Sequence, residues 1–197
     1  MTADIENRET LPLAFFRYDV APDGRDGLAR IAQALRSRGA RLAGVVQHDS
    51  PRADRPRCDM RLEDLATGRT LAISADRGAH ARGCRLDHAA LATAEAWIAQ
   101  ALHDGADALI VNKFGKEEAA GKGLFPTIAE AAINGIPALL GLSALNRDAA
   151  LRATGDGLRE FVAEAGAEAW LFSLRASRLG AFPTTAPTMR QGRGQRS

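Results

Sequence analysis

Lysine is nearly absent from this sequence. Of the 26 basic residues in a chain of 197, only Lys113, Lys116 and Lys122 are lysines, and they fall in one short segment. Cysteine is equally scarce. Two residues, Cys58 and Cys84, cannot build the disulfide framework on which small secreted domains rest. The ten aromatic residues do not alternate with basic ones, which removes the stacking pattern of single-stranded nucleic-acid binders. No apolar run approaches the roughly 20 residues that span a bilayer. The opening MTADIENRET is polar and acidic, unlike a signal peptide. These absences predict a soluble cytoplasmic protein with reduced thiols, no nucleic-acid partner and no membrane span.

The charge that is present sits unevenly. After Phe182 come Arg190, Arg193 and Arg196 and no acid, so residues 1–182 carry 23 bases against 24 acids. The sequence pI of 8.8 therefore belongs largely to the tail and does not describe a basic binding face. Residues 1–10 read as a flexible N-terminus, 11–182 as one α/β domain, and 183–197 (PTTAPTMRQGRGQRS) as a disordered basic tail.

Within the domain, strand-like and helix-like segments alternate. Leu11 to Tyr18 reads as a first strand. Asp26 is placed to cap a helix with Leu28, Ile31, Ala32 and Leu35 on one face, ended by Gly39. Leu42 to Gln47 reads as the second strand. Met60–Leu65 and Arg69–Ser74 flank Ala66-Thr67-Gly68, the signal of an inserted antiparallel hairpin. Asp87 is placed to cap a helix carrying Leu91, Ala94, Ile98 and Leu102, closing near Gly105. Ala106 to Val111 suits a strand buried on both faces. A helix over Pro126–Asn134, a strand over Pro137–Leu142, a helix over Leu158–Ala165 and a strand over Ala169–Leu174 complete the pattern. That order predicts right-handed crossovers and a doubly wound, mostly parallel three-layer α/β sheet.

In such sheets ligands sit beyond the carboxyl ends of strands, near a change in strand order. The segment beyond Val111 reads Asn112-Lys113-Phe114-Gly115-Lys116-Glu117-Glu118, then Ala119-Ala120-Gly121-Lys122-Gly123. Ammonium groups and glycine N–H groups together suit a small anion. A loop needing only solubility would be served equally by arginine. The turn after the first strand, Asp19 to Gly27, has no Gly-Lys-Ser/Thr and so is not a P-loop. Gly24, Gly27 and Arg25 could offer donors there, but Asp19, Asp23 and Asp26 oppose a polyphosphate. An ordinary capped turn is the favoured reading.

Cys58 and Cys84 form no CxxC and no zinc spacing with His48, His80 or His88. Packed small apolar residues are the expected role; convergence of Cys58, Cys84 and His48 on a soft or oxyanionic metal species is the specific alternative. No H-E-x-x-H and no G-x-S-x-G is present. Trp97 and Trp170 are expected in a helix and a strand of the core.

Several phrases together carry a resemblance: Ala43-Gly44-Val45-Val46-Gln47, Cys58 to Leu65 followed by Thr67-Gly68, Gly83-Cys84-Arg85-Leu86-Asp87, and above all Asn112 to Glu118. Over about residues 11–175 the set resembles an uncharacterised bacterial family of unknown function, some members of which are associated with molybdenum (molybdate) transport. The layout is also similar to that of thermophile-type P-loop nucleoside-triphosphatases with degenerate Walker motifs. On that resemblance Asn112 stands where the magnesium-binding Asp would be and Lys113 where the Glu would be, while Gly115, Lys116 and Glu118 still fit. Both Walker B carboxylates and the P-loop Lys and Ser/Thr are missing, and phosphoryl transfer depends on them.

Three expectations follow. The first is a non-hydrolytic protein binding a nucleotide or molybdate-like oxyanion through Asn112, Lys113, Gly115, Lys116, Glu118, Lys122 and Arg25, accessory to molybdenum metabolism. The second is a divergent nucleoside-triphosphatase using Arg25 and the lysines. The third is an interaction module whose hairpin and tail contact a transporter or metal-insertion partner. No cofactor is identified, and assembly into a homo-oligomer is compatible with each.

Overall fold

The computed structural model describes residues 11–21, 24–52, 55–74, 87–154 and 159–180, with only the backbone of 25, 51, 52, 55–58, 179 and 180. The elements run β1 (Leu13–Arg17), α1 (Gly27–Ser37), β2 (Leu42–Arg52), β3 (Arg55–Asp64), β4 (Thr70–Ala72) and α2 (His88–His103). They continue β5 (Ala108–Val111), the single turn α3 (Lys116–Ala119), α4 (Phe125–Ile133), β6 (Ala138–Leu142), α5 (Ala144–Thr154), β7 (Arg159–Phe161) and α6 (Glu164–Gly180).

These strands form one sheet in the order β4-β3-β2-β5-β6-β1-β7. The stretch from β2 to β7 is parallel, while β3 and β4 add antiparallel strands at one edge. Every residue of β5 and β6 is buried, as central parallel strands covered on both faces require. Alternation along the strands divides the core in two. Phe15, Leu109, Val111 and Leu140 pack with Ala94 and Ile98 of α2, Ile128 of α4 and Ala150 of α5. Phe16, Ile110 and Leu139 face Leu28, Ile31 and Leu35 of α1 with Ala167 and Leu171 of α6. The result is the expected three-layer, P-loop-NTPase-like α/β fold. Gly44 lets β2 and β5 meet: its φ is +119°, and a Cβ there would collide with the Ile110 carbonyl.

The sequence pattern and the structure part company near the C-terminus. Ala169–Leu174 is not a strand but the middle of α6, so Trp170 belongs to a helix, and Arg159–Phe161, expected as helix, is β7. Helix α5 was not legible at all, because Ala150 is its one buried residue. Asp87 caps α2 as expected, accepting from the N–H groups of Ala89 and Ala90, whereas Asp26 occupies the cap position of α1 without a side-chain bond. Strand β2 runs on to Arg52 and pairs antiparallel with β3, so the hairpin partner β3 is itself joined to the parallel sheet through β2.

Candidate functional site

The sheet changes direction between β6 and β1. From β1 the chain leaves through α1 on one face, crossing back towards β2; from β6 it leaves through α5 on the other face, crossing over to β7. The carboxyl ends of β5, β6 and β1 therefore open onto the crevice where doubly wound sheets hold ligands.

The loop after β5 is built over that crevice. Asn112 N–H donates to Val45 O at 3.0 Å and Phe114 N–H to Gly141 O at 2.8 Å, which drapes the chain across the end of β6. The Asn112–Lys113 peptide is cis. Phe114 is completely buried, edge-on to Phe15 at 5.7 Å and to Phe125 at 6.5 Å, and anchors the loop in the core. Asn146 of α5 donates its Nδ2 to the Phe114 carbonyl at 3.1 Å.

Glu118 organises the rest. Its carboxylate, 7% exposed, accepts from the N–H groups of Gly115 at 2.9 Å and Leu124 at 3.2 Å. Gly123, at φ +57°, passes so close that a Cβ would lie 2.5 Å from Glu118 Oε1. Both Glu118 oxygens are thus engaged by the loop's own backbone. Lys113, Lys116 and Lys122 are all exposed, and among the described residues none has a partner. The loop is therefore a fixed scaffold presenting three free ammonium groups.

The Asn112 side chain turns inwards over Gly141. A Cβ on Gly141 would lie 3.2 Å from Asn112 Oδ1, 3.3 Å from Tyr18 Cδ1 and 2.9 Å from Leu28 Cδ1. Tyr18 and Gly141 were not singled out from sequence. A glycine inside the apolar run Ala138–Leu142 was the available signal of such a close approach.

The turn after β1 has a different character. Val20 and Ala21 N–H groups donate to Arg17 O, and Gly24 N–H donates to Ala21 O, so these donors serve the turn itself. Arg17 donates from Nε to Asp19 at 3.0 Å and from Nη1 to Glu160 at 3.0 Å; Arg147 completes the network on Glu160 at 2.7 Å. Asp19 Oδ2 also accepts the backbone N–H of Ala144 at 2.6 Å. The Arg17 hydrogen bonds hold the Asp19 carboxyl below the ordinary carboxylate range, against partial desolvation and with help from Ala144. Arg25 has only its backbone described, in the short helical turn Gly24–Asp26.

Cys84 and the side chain of Cys58 lie outside the described residues. His48 Nε2 is 2.9 Å from Glu63 Oε2, whose other oxygen pairs with Arg36. Among the described residues no three His, Cys, Asp or Glu side chains are grouped to hold a metal. A shallow cleft of about 280 Å³ lies at the opposite, amino edge of the sheet, between α2 and α4, lined by His103, Glu130 and Asn134 among others.

The class is thus a doubly wound α/β protein with the layout of a P-loop NTPase, lacking Walker residues at its strand ends. The chain belongs to the family described as Protein of unknown function (DUF2478), whose model matches residues 13–170. It is similar to the Molybdenum import ATP-binding protein ModC 2 of Bradyrhizobium diazoefficiens, 40% identical over 112 residues. That stretch is 57% of this chain and 12% of that relative's length. No solved structure matches. No helix among the described residues is long and apolar enough to cross a membrane.

Proposed function

We propose that this protein binds a small anion at the loop from Asn112 to Lys122, without hydrolysing it, as an accessory to molybdenum uptake or use. The observation that carries the reading is the set of three lysines, unpartnered among the described residues, on a loop fixed by Phe114 and Glu118 beside the strand-order switch. The similarity to a molybdenum import protein supplies the metabolic context. Hydrolysis is disfavoured because the β1–α1 turn has no Gly-Lys-Ser/Thr, spends the N–H groups of Val20, Ala21 and Gly24 internally, and the end of β5 carries Asn112 and Lys113 in place of two carboxylates.

Calorimetric titration with molybdate, tungstate, ATP and GTP tests the reading, alongside phosphate release with Mg²⁺. Binding that Lys113→Ala and Lys116→Ala weaken, with phosphate release at the blank rate, is expected. No binding by the wild type, or binding indifferent to both substitutions, would sink it. Phosphate release well above the blank would favour the divergent NTPase.

A second reading is favoured by Val20, Leu145 and Val162, exposed beyond the ends of β1, β6 and β7, with Leu145 at 86%. On this reading the same edge contacts the ATP-binding component of a molybdate importer, since the relative's matched stretch is a small part of a longer protein. Co-purification with such a component, abolished by Leu145→Ser, is the expected result. Retention by the variant equal to the wild type would remove this reading.

A further inference from the structure

Resting on the anion-site reading above, we infer that the ligand is a compact oxyanion on one central atom and not a nucleoside polyphosphate, and that Asp19 sets this choice. A triphosphate chain needs an extended run of donors, which a nucleotide-binding α/β protein supplies from the turn between its first strand and helix. Here three of those donors are already spent. The N–H groups of Val20, Ala21 and Gly24 are bonded to carbonyls within the turn, and a Cβ on Gly24 would collide with the Tyr18 carbonyl. At the amino end of α5 the N–H groups of Ala144 and Asn146 are likewise spent, on Asp19 and on the Ser143 carbonyl.

The charges divide the crevice in the same way. On the β5 side stand three ammonium groups and the Asn112 carboxamide, none with a partner among the described residues. On the β1 side stands the Asp19 carboxylate, fixed by Arg17 and by Ala144. The two sides are close. Ala144 bonds Asp19 while Asn146, two residues along the same helix, bonds the carbonyl of Phe114 in the lysine loop. An anion small enough to stay among the lysines avoids Asp19. A chain of phosphates reaching from the loop towards β1 meets the carboxylates of Asp19 and Glu160, which share the Arg17 guanidinium and are offset by it only in part, with each added phosphate raising the repulsion.

The test is calorimetric titration of the full chain at low salt, where such repulsion is least screened, with molybdate, sulfate, inorganic phosphate and ATP. Wild type, Asp19→Asn and the Lys113→Ala/Lys116→Ala variant are compared. Wild type is expected to bind at least one of the oxyanions about tenfold or more tighter than ATP. Asp19→Asn is expected to narrow that ratio by about tenfold, mainly by tightening ATP. Should Asp19→Asn fail to fold, Asp19→Ser serves, since its hydroxyl can still accept the Ala144 N–H. ATP binding the wild type as tightly as every oxyanion, and lysine-dependently, would overturn this inference and leave the anion site standing. A ratio unchanged by the Asp19 substitutions would overturn the role of Asp19. Binding of none of the four probes would overturn both readings.

Discussion

Glu118 accepts the backbone N–H of Gly115 at 2.9 Å from within the same loop, and its other oxygen reaches Leu124. A carboxylate in a segment rich in lysine is thereby turned inwards, and the lysines are left facing solvent. The arrangement separates roles that the sequence alone merges: Glu118 shapes the loop and the ammonium groups provide its charge.

Replacing Glu118 with Ala should leave two N–H groups without their acceptor and lower the unfolding free energy by about 2–3 kcal/mol. Urea unfolding measures the loss, and anion affinity should fall with it because the loop that carries the lysines loses its backbone anchor. Glu118→Gln keeps one acceptor and should lie between Ala and wild type. A Glu118→Ala protein as stable as wild type would show that the loop does not depend on this carboxylate.

The three lysines should behave in the opposite way. They have no partner among the described residues, so alanine at Lys113, Lys116 or Lys122 should change stability by no more than about 0.5 kcal/mol. The same variants should weaken anion binding, and less so as salt is raised. Thermal unfolding of each variant beside its binding isotherm checks the separation.

Asp19 gives a pH signature. Its carboxyl is held below the ordinary value of 3.8 by the Arg17 hydrogen bonds first, with Ala144 assisting. A depressed folded-state value stabilises the fold above the unfolded value, and that stabilisation is lost as pH falls through the folded one. Asp19→Asn should therefore be less stable than wild type at pH 7, with the gap closing as the pH drops below about 3.8. Denaturant midpoints across pH 2–7 read this directly; a gap that is constant across that range would contradict it.

At Gly44 a side chain meets two obstacles, a φ of +119° and the Ile110 carbonyl across the β2–β5 pair. Gly44→Ala should cost about 3 kcal/mol or more. Far-ultraviolet circular dichroism with urea unfolding decides this, and a near-neutral substitution would mean that β2 and β5 do not approach as closely as described.

How far the sequence announced this structure depended on what each segment buries. Helix α1 was legible because Leu28, Ile31, Ala32 and Leu35 all bury on one side, and β5 because Ala108–Val111 is apolar throughout. Helix α6 misled. Trp170, Leu171 and Phe172 stand consecutively, which reads as a strand, yet only Leu171 of the three is fully buried. Phe172 is covered by the guanidinium of Arg38 at 4.6 Å, a contact no local pattern reveals. The far half of the β2–β3 hairpin was hidden for the opposite reason, since Gln47 to Arg57 is polar and shows no alternation. At the site, the lysine loop was legible from composition and from its place after a buried strand. Gly141 beneath Asn112, and Asp19 tied to Ala144, depend on strands distant in sequence and required the sheet order.

The measurement that tests the central claim most directly is an amide chemical-shift map of the full chain titrated with molybdate and, separately, with ATP. Anion binding at the loop predicts that the largest shifts belong to residues 112–123, with smaller ones at Gly141 and Tyr18, and that the Lys113→Ala/Lys116→Ala variant loses them. Shifts concentrated instead at His103, Glu130 and Asn134 on the opposite edge, or no saturable shifts with either anion, would contradict it.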